Sequence, residues 1–154
     1  MRVTVLGAGD AFCNGGRRQS GYLVEAGDTT FLLDCGATTL LALKTLGLNA
    51  DLLDFVAISH LHGDHFGGLP FLFLEYLYER PRTRPLLIVG PPGTEERVWA
   101  LHRAMYRELS QRPMCFPLKF QEVPPGQPQT IHGVELFPFR VPHQEQDISL
   151  GYRL

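Results

Sequence analysis

The sequence predicts a single α+β domain in which helices are layered on β-sheets. The chain has 154 residues, of which 44% are hydrophobic and 19% charged, so it is long enough to bury one core and too short for two. Predicted strands and helices mix without strict alternation, which disfavours a simple doubly wound parallel sheet. The 16 Gly and 12 Pro are spread along the chain, as expected for many turns inside one unit. We therefore expect residues 1–154 to form one domain.

The first third of the chain predicts four strands and a helix. Residues 3–6 form a short β-branched apolar run that ends at a glycine-rich turn. The apolar runs at 22–25 and 30–33 flank a turn containing Gly-Asp, which is typical of a β-hairpin. Leucines at helical spacing over 40–46 stop at a glycine and predict a short helix. The strand predicted at 54–59 has a continuously apolar centre, which indicates that it is covered on both faces.

The remainder predicts two helices and several short strands. Residues 69–78 have helical length, and residues 86–89 predict a buried strand closed by Gly-Pro-Pro-Gly. Thr94 and two glutamates provide an N-cap and an acidic first turn for a helix reaching about residue 109. The last four predicted strands are 118–123, 129–131, 134–139 and 149–154. The final one lies in an apolar-rich run with no turn after it, so we expect the fold to continue beyond it.

Charge and cysteine content exclude several classes of protein. The 14 Lys+Arg against 16 Asp+Glu give a net charge of −2, so a phosphate-bearing substrate must be held locally rather than by a broad basic surface. Cys13, Cys35 and Cys115 are too far apart for a Cys-x-x-Cys site and too few for a disulfide framework. No apolar run has the length of a membrane span. We expect a cytoplasmic protein that does not bind membranes.

A cluster of three histidines and one carboxylate directly follows a predicted buried strand. Residues two apart on an extended strand end face the same side, so His60 and His62 can present their imidazoles to one metal ion. Gly63 permits a sharp turn that carries Asp64 and His65 to a second position at the start of the next helix. Imidazole and carboxylate together suit zinc, and to a lesser degree manganese or iron. A surface loop that is His-rich by coincidence is a much rarer alternative.

Further motifs follow this cluster in a recognisable order. The pattern His-x-His-x-Asp-His is matched by His60, His62, Asp64 and His65, and is followed by Gly68-Leu69-Pro70, by Gly90-Pro91-Pro92-Gly93 and by Gly151-Tyr152-Arg153. In this order the motifs resemble those of the metallo-β-lactamase superfamily, and specifically its ribonuclease Z-like branch. The resemblance implies an αβ/βα layered sandwich, here truncated after the first half of the fold and part of the second sheet.

The resemblance also assigns the site residues. His143, which lies 143 − 65 = 78 residues after the cluster, would complete a first metal site with His60 and His62. Asp64 and His65 would contribute to a second site. Two zinc ions occupy the complete site of the superfamily, and manganese or iron is possible. Asp64 is the implied catalytic residue, which orients the attacking water or takes its proton.

Other residues near these motifs have simpler interpretations. Asp34 resembles a carboxylate of the family that orients the ligand imidazoles, although a local turn hydrogen bond is equally compatible with its sequence position. Cys35 is predicted to be a buried small residue with no role as a nucleophile. His102 and His132 are predicted to be ordinary surface residues.

Two ligands of the complete family site have no counterpart in this sequence. The Asp that bridges the metals and the last His come from strands after the position of Tyr152, whereas Asp147 precedes it. We therefore expect one three-histidine site, a half-site at Asp64 and His65, and little hydrolytic activity from residues 1–154 alone. A longer protein is the preferred explanation, and completion by a partner chain is the alternative. The unpaired final strand, 149–154, would also leave a bare sheet edge that the chain covers by forming a homodimer, by strand exchange or by aggregation.

The implied function is metal-dependent hydrolysis of a phosphodiester, in RNA or in a small cyclic or mononucleotide ester. A thioester, lactone or β-lactam hydrolase would use the same ligands and is an alternative. A third possibility is a non-catalytic fragment or subunit with an incomplete metal site. The metal content of the isolated chain distinguishes this last class from the enzymes.

Overall fold

Two sheets packed face to face form the frame of the protein. The computed structural model describes residues 1–154. The first sheet contains β1 (Arg2–Gly7), β2 (Gly21–Ala26), β3 (Thr29–Leu33), β4 (Phe55–Ala57), β5 (Leu86–Gly90) and β6 (Leu118–Glu122), side by side in chain order. Strands β1 to β3 pair antiparallel, and β3 to β6 pair parallel. The second sheet is an antiparallel set of β7 (Gln129–Ile131), β8 (Val134–Arg140) and β9 (Leu150–Arg153).

Helices cover the face of the first sheet that is turned away from the second sheet. They are α1 (Thr39–Thr45), α2 (Gly63–Phe66), α3 (Leu69–Leu74) and α4 (Thr94–Met105). The larger hydrophobic core lies between these helices and the first sheet. A smaller core joins the two sheets, where Phe31 and Phe55 stack with ring centroids 4.3 Å apart and pack with Ile131 and Leu136. The longest helix has 12 residues, and none of the helices has the length and apolar character of a membrane span.

The predicted elements are present, with differences at two helix ends. The predicted α+β fold with layered sheets is confirmed, and so is the β2–β3 hairpin. Helix α4 ends at Met105 rather than near residue 109, because Tyr106 leaves helical geometry with φ −138° and ψ 68°. The helix predicted at 69–78 is α3 followed by one π-helical stretch, Glu75–Glu79. This wider turn contains the buried Tyr76, whose hydroxyl donates to the carbonyl oxygen of Ala50 at 2.6 Å.

The residues predicted to be functional lie at the carboxyl ends of the parallel strands in the first sheet. Strands β3 and β4 are parallel, so their carboxyl ends lead into neighbouring loops. The second sheet contacts the same end of the strands, because the amide of Leu150 donates to the carbonyl oxygen of Ser59 at 2.8 Å. The hydroxyl of Tyr152 donates to the carbonyl oxygen of Ile58 at 2.9 Å. These contacts bring the β8–β9 loop over the end of β4.

Candidate metal centre

Three histidines, in loops that follow strands of the two sheets, meet at one point. One nitrogen from each of His60, His62 and His143 lies within 4.8 Å of the other two, so the group could hold a metal ion. Nδ1 of His62 is 3.2 Å from Nε2 of His60 and 3.2 Å from Nε2 of His143. His60 is buried, whereas His62 and His143 are exposed. A set of three imidazoles with one open side is the donor chemistry of a zinc site that keeps a position for water or substrate.

Local backbone geometry explains how these side chains converge. His62 has an extended backbone, with φ −82° and ψ 146°, and its ring lies on the same side as that of His60, with centroids 4.7 Å apart. His143 lies in the loop between β8 and β9. That loop is closed at its base by the amide of Val141, which donates to the carbonyl oxygen of Ser149 at 2.9 Å. Further out, Nη2 of Arg97 on α4 lies 2.7 Å from Oδ2 of Asp147.

Asp64 and His65 form a second pair beside the three histidines. They lie in α2, directly after Gly63, with Nε2 of His65 3.3 Å from Oδ2 of Asp64. The ring of His65 is 4.0 Å from that of His60, measured between centroids. The structure therefore places this pair next to the three-histidine group and outside the set of nitrogens that share one point.

Asp34 makes the contacts of an orienting carboxylate rather than those of a local turn. It is buried and has a left-handed backbone, with φ +62°. Its Oδ1 accepts the amide hydrogen of Ser59 at 2.7 Å, and its Oδ2 accepts the hydroxyl of Ser59 at 2.9 Å. The same Oδ2 lies 2.7 Å from Nδ1 of His65. A proton on Nδ1 of His65 leaves the lone pair of Nε2 free on the side of Asp64.

Ser59 is a site residue that the sequence did not indicate. Its hydroxyl oxygen lies 3.0 Å from Nδ1 of His60 as well as 2.9 Å from Oδ2 of Asp34. It therefore connects the buried carboxylate to a second imidazole. The only signal was its place directly before the motif, which does not distinguish it from an ordinary polar residue at a strand end.

The two inner histidines have opposite pKa shifts. The pKa of His60 is lowered to about 4, first because burial disfavours the imidazolium and second because a positive charge on His65 repels it. The pKa of His65 is raised: burial lowers it, but the hydrogen bond and the negative charge of Asp34 outweigh that effect. His60 is therefore neutral at neutral pH, and its lone pair is available to a ligand.

Two glycines allow the loops of the site to lie against each other. A Cβ on Gly36 would overlap the carbonyl oxygen of Asp64, and a Cβ on Gly68 would overlap the carbonyl oxygen of Gly36. Between them, the amide of Cys35 donates to the carbonyl oxygen of His65 at 2.7 Å. Cys35 is buried, as predicted, and burial raises the pKa of its thiol to about 12, which excludes a nucleophilic role at neutral pH.

The prediction for His102 is wrong, while His132 is exposed as predicted. His102 is fully buried, and neither ring nitrogen has a hydrogen-bond partner. Its ring packs against Phe73 and Trp99, with centroids 5.7 and 5.8 Å away. The available signal was its position four residues after Val98, on the buried stripe of α4.

Comparisons with known proteins agree with this geometry. The family model described as "Anti-Pycsar protein Apyc1" matches residues 1–154. A ribonuclease Z from Mycobacterium sp. (strain KMS) is 30% identical over 162 residues, which cover 100% of this chain and 57% of the mycobacterial protein. The crystal structure of human tRNase Z, short form, superposes with a TM-score of 0.73 at 28% identity, covering 99% of this chain and 64% of the human one. The metallo-β-lactamase fold protein YhfI from Bacillus subtilis gives a TM-score of 0.72 at 26% identity, covering 98% of this chain and 56% of the Bacillus protein. The chain thus spans little more than half the length of these relatives.

Proposed function

Since the chain belongs to the Anti-Pycsar protein Apyc1 family and, more broadly, to the ribonuclease Z-like branch of the metallo-β-lactamase superfamily, we propose that the whole protein is a metal-dependent hydrolase of phosphodiester bonds. The observation that carries this proposal is that His60, His62 and His143 meet within 4.8 Å, on loops that follow strands of two different sheets. The substrate is RNA or a small phosphodiester, and the ribonuclease Z relatives support RNA.

In this proposal His60, His62 and His143 hold one zinc ion, and Asp64 and His65 contribute to the binding of a second. When bound, such ions lower the pKa of water and polarise phosphoryl oxygens, and manganese or iron would provide the same chemistry. The donor set supports this assignment, since neutral imidazole and carboxylate are the ligands that zinc prefers. The neutral state of His60 supports it further.

The side chains themselves contribute positioning and proton transfer. Asp64 is the catalytic residue: its carboxylate, 3.3 Å from Nε2 of His65, orients the attacking water or takes its proton. Asp34 acts through His65 by fixing the position of its ring. The exposed side of His62 and His143 leaves room for a phosphate-bearing substrate.

The same proposal includes the domain organisation, the cellular setting and the oligomeric state of the protein. Residues 1–154 act as one domain, which the core shared by the two sheets supports. The setting is cytoplasmic, which the three free cysteines support. A homodimer is supported by the apolar Val3 and Val5 on edge strand β1, which are 52% and 56% exposed, and light scattering after size-exclusion chromatography tests it.

Metal affinity tests the site directly. The 154-residue chain is titrated with zinc in competition with a chromophoric chelator, alongside His143→Asn and His132→Asn. Both variants lose one exposed imidazole, and asparagine suits the left-handed backbone of His132 (φ +48°). We expect His143→Asn to weaken zinc binding beyond the roughly 10–100-fold effect of losing a residue that only orients a ligand. His132→Asn should match the parent, and equal affinities for all three proteins would remove His143 from the site.

The reaction class is tested with the whole protein and a substrate panel. The panel contains a chromogenic phosphodiester, a single-stranded RNA, a thioester, a lactone and a β-lactam. Metal-dependent turnover confined to the phosphorus esters supports the proposal. Turnover confined to the carbonyl substrates would overturn it.

A further inference from the structure

An open groove of about 510 Å³ lies beside α4, away from the metal centre. Its walls include Trp99 and Arg103 on the helix and Ser110, Arg112 and Met114 on the segment that follows it. Leu118 closes the groove at the first residue of β6, which pairs with the first residue of β5. The metal-centre histidines instead follow the carboxyl end of β4. The groove and the metal centre therefore lie at opposite ends of the parallel strands.

Trp99 provides a supported aromatic surface in this groove. Its ring packs against Phe120 and Phe73, with centroids 5.9 and 6.4 Å away. The residue is only half-buried, so part of the ring remains accessible from the groove. Arg103 follows Trp99 by four residues, which places the guanidinium on the same side of the helix as the indole.

The two arginines of the groove form no ion pair, a property they share with Arg107 and Arg140 but not with several other arginines of the chain. Arg80, Arg82, Arg84 and Arg97 each lie within ion-pair distance of a carboxylate. Arg103 and Arg112 have neither an ion pair nor a side-chain hydrogen bond, and both are exposed. The surrounding stretch is basic although the whole chain has a net charge of −2. Between positions 103 and 119 the charged residues are Arg103, Arg107, Arg112 and Lys119 against Glu108.

We propose that this groove binds single-stranded RNA, with one base stacked on Trp99 and a neighbouring phosphate held between Arg103 and Arg112. Aromatic side chains next to unpaired cations are the combination that binds single strands without a sequence requirement, because every base has a π-face and every nucleotide has a phosphate. The groove is open along the surface, so a strand can enter and leave it. This binding requires neither a metal ion nor hydrolysis, and it therefore goes beyond the proposed function.

The single tryptophan of the chain makes the test direct. Trp99 is that tryptophan, so fluorescence excited selectively at tryptophan, beyond the absorption of the five tyrosines, reports on this groove alone. The 154-residue chain is titrated with a 12-nucleotide oligouridylate at low salt in the presence of EDTA. We expect saturable quenching whose apparent affinity falls as salt rises, because the bound phosphates release counterions.

Matched arginine variants locate the binding site. The double variant Arg103→Ala/Arg112→Ala should bind about tenfold more weakly and lower the slope of log K against log salt by about 0.7, the value for the loss of one phosphate contact. Arg107→Ala removes a charge from the same stretch but not from the groove lining. Its loss of affinity and its change of salt slope should each be less than half of those in the double variant. Circular dichroism and thermal midpoints of the variants show that the fold is retained.

Three results would overturn the inference: absence of quenching at low salt, equal weakening by Arg107→Ala and the double variant, or equal affinity for uridine monophosphate and the oligomer. The last would mean that the groove holds a free nucleotide rather than a strand. Because the titration is done in EDTA, RNA binding by a protein that fails to bind zinc would retain this inference and remove the proposed function.

Discussion

Oδ2 of Asp34 lies 2.7 Å from Nδ1 of His65, and this contact spans 31 residues of sequence. The carboxylate reaches His65 from a left-handed backbone, φ +62°, that few residue types adopt readily. Its other oxygen accepts the amide of Ser59. One buried side chain therefore joins the end of β3 to the residue before the histidine motif and to the last residue of the motif.

Replacing Asp34 by asparagine should lower the pKa of His65. Asparagine tolerates the same left-handed backbone, so the change removes the charge with little strain. The introduced side-chain amide would donate to Nδ1 and favour a proton on Nε2, the reverse of the arrangement that leaves Nε2 free for a ligand. NMR titration of the metal-free protein measures the pKa and the tautomer. Asp54→Asn, at the other end of β4, is the control, and an unchanged His65 in Asp34→Asn would contradict the role of Asp34.

Breaking the ion pair between Arg97 and Asp147 should lower the affinity for zinc and leave the free energy of unfolding nearly unchanged. The two side chains are 48% and 40% exposed, and such surface pairs contribute only about 0–1 kcal/mol. The pair nevertheless holds the β8–β9 loop, which carries His143, against α4. We expect Arg97→Ala to lose zinc affinity several-fold with a nearly unchanged free energy of unfolding. Arg2→Ala breaks a different exposed pair, with Glu25, and should leave zinc affinity unchanged.

The buried His102 should make the fold sensitive to mild acid. Burial lowers its pKa in the folded protein, whereas the unfolded chain takes up the proton near the ordinary value of about 6.5. The contribution of His102 is therefore fully present above pH 6.5 and is lost as the pH falls towards the lower folded pKa, by up to about 1.4 kcal/mol per pH unit. Urea unfolding at pH 7 and pH 5.5 measures this loss.

His102→Phe should reduce the loss of stability on acidification, since phenylalanine suits an aromatic pocket that offers the imidazole no hydrogen bond. His132→Asn, which changes an exposed histidine, should keep the pH dependence of the parent. The same pH dependence in His102→Phe and the parent would show that His102 is not the acid-sensitive group.

Residues 1–154 alone should hydrolyse phosphodiesters slowly or not at all. Asp64 is the one ligand carboxylate predicted for the second metal position, and one metal ion cannot stabilise both the attacking and the leaving oxygen. In the whole protein, Asp64→Ala should abolish turnover and leave the thermal midpoint close to that of the parent. Rapid metal-dependent turnover by the 154-residue chain would show that another side chain completes the site.

Sequence patterns predicted the parts of the site that depend on short-range geometry. His60 and His62 follow from the two-residue repeat of an extended strand, and Gly63 from the turn that the chain must make. The placement of His143 came from resemblance, because a histidine after a strand has no distinguishing spacing. The Arg97–Asp147 pair could not be predicted, because it depends on the path of a loop across a neighbouring helix.

Burial of polar side chains was the harder part to predict. Arg82 lies in a polar, proline-containing stretch typical of a surface loop, yet its guanidinium is fully buried. It donates to the backbone carbonyl oxygens of Leu53, Pro85, Arg84 and Asp51. Backbone acceptors have no sequence signature, so a buried arginine satisfied by them resembles an exposed one until the loops are placed.

The three histidines follow strands of two different sheets, so the site forms only after both sheets have folded and packed together. Strands β1 to β6 pair in chain order, so the first sheet can grow by local steps and position His60 and His62 early. His143 comes 81 residues after His62 and joins them only when the second sheet has packed on the first. An ion that requires all three imidazoles would bind only fully assembled molecules and would stabilise that state alone. Metal content would then distinguish molecules whose two sheets have docked from partly folded ones.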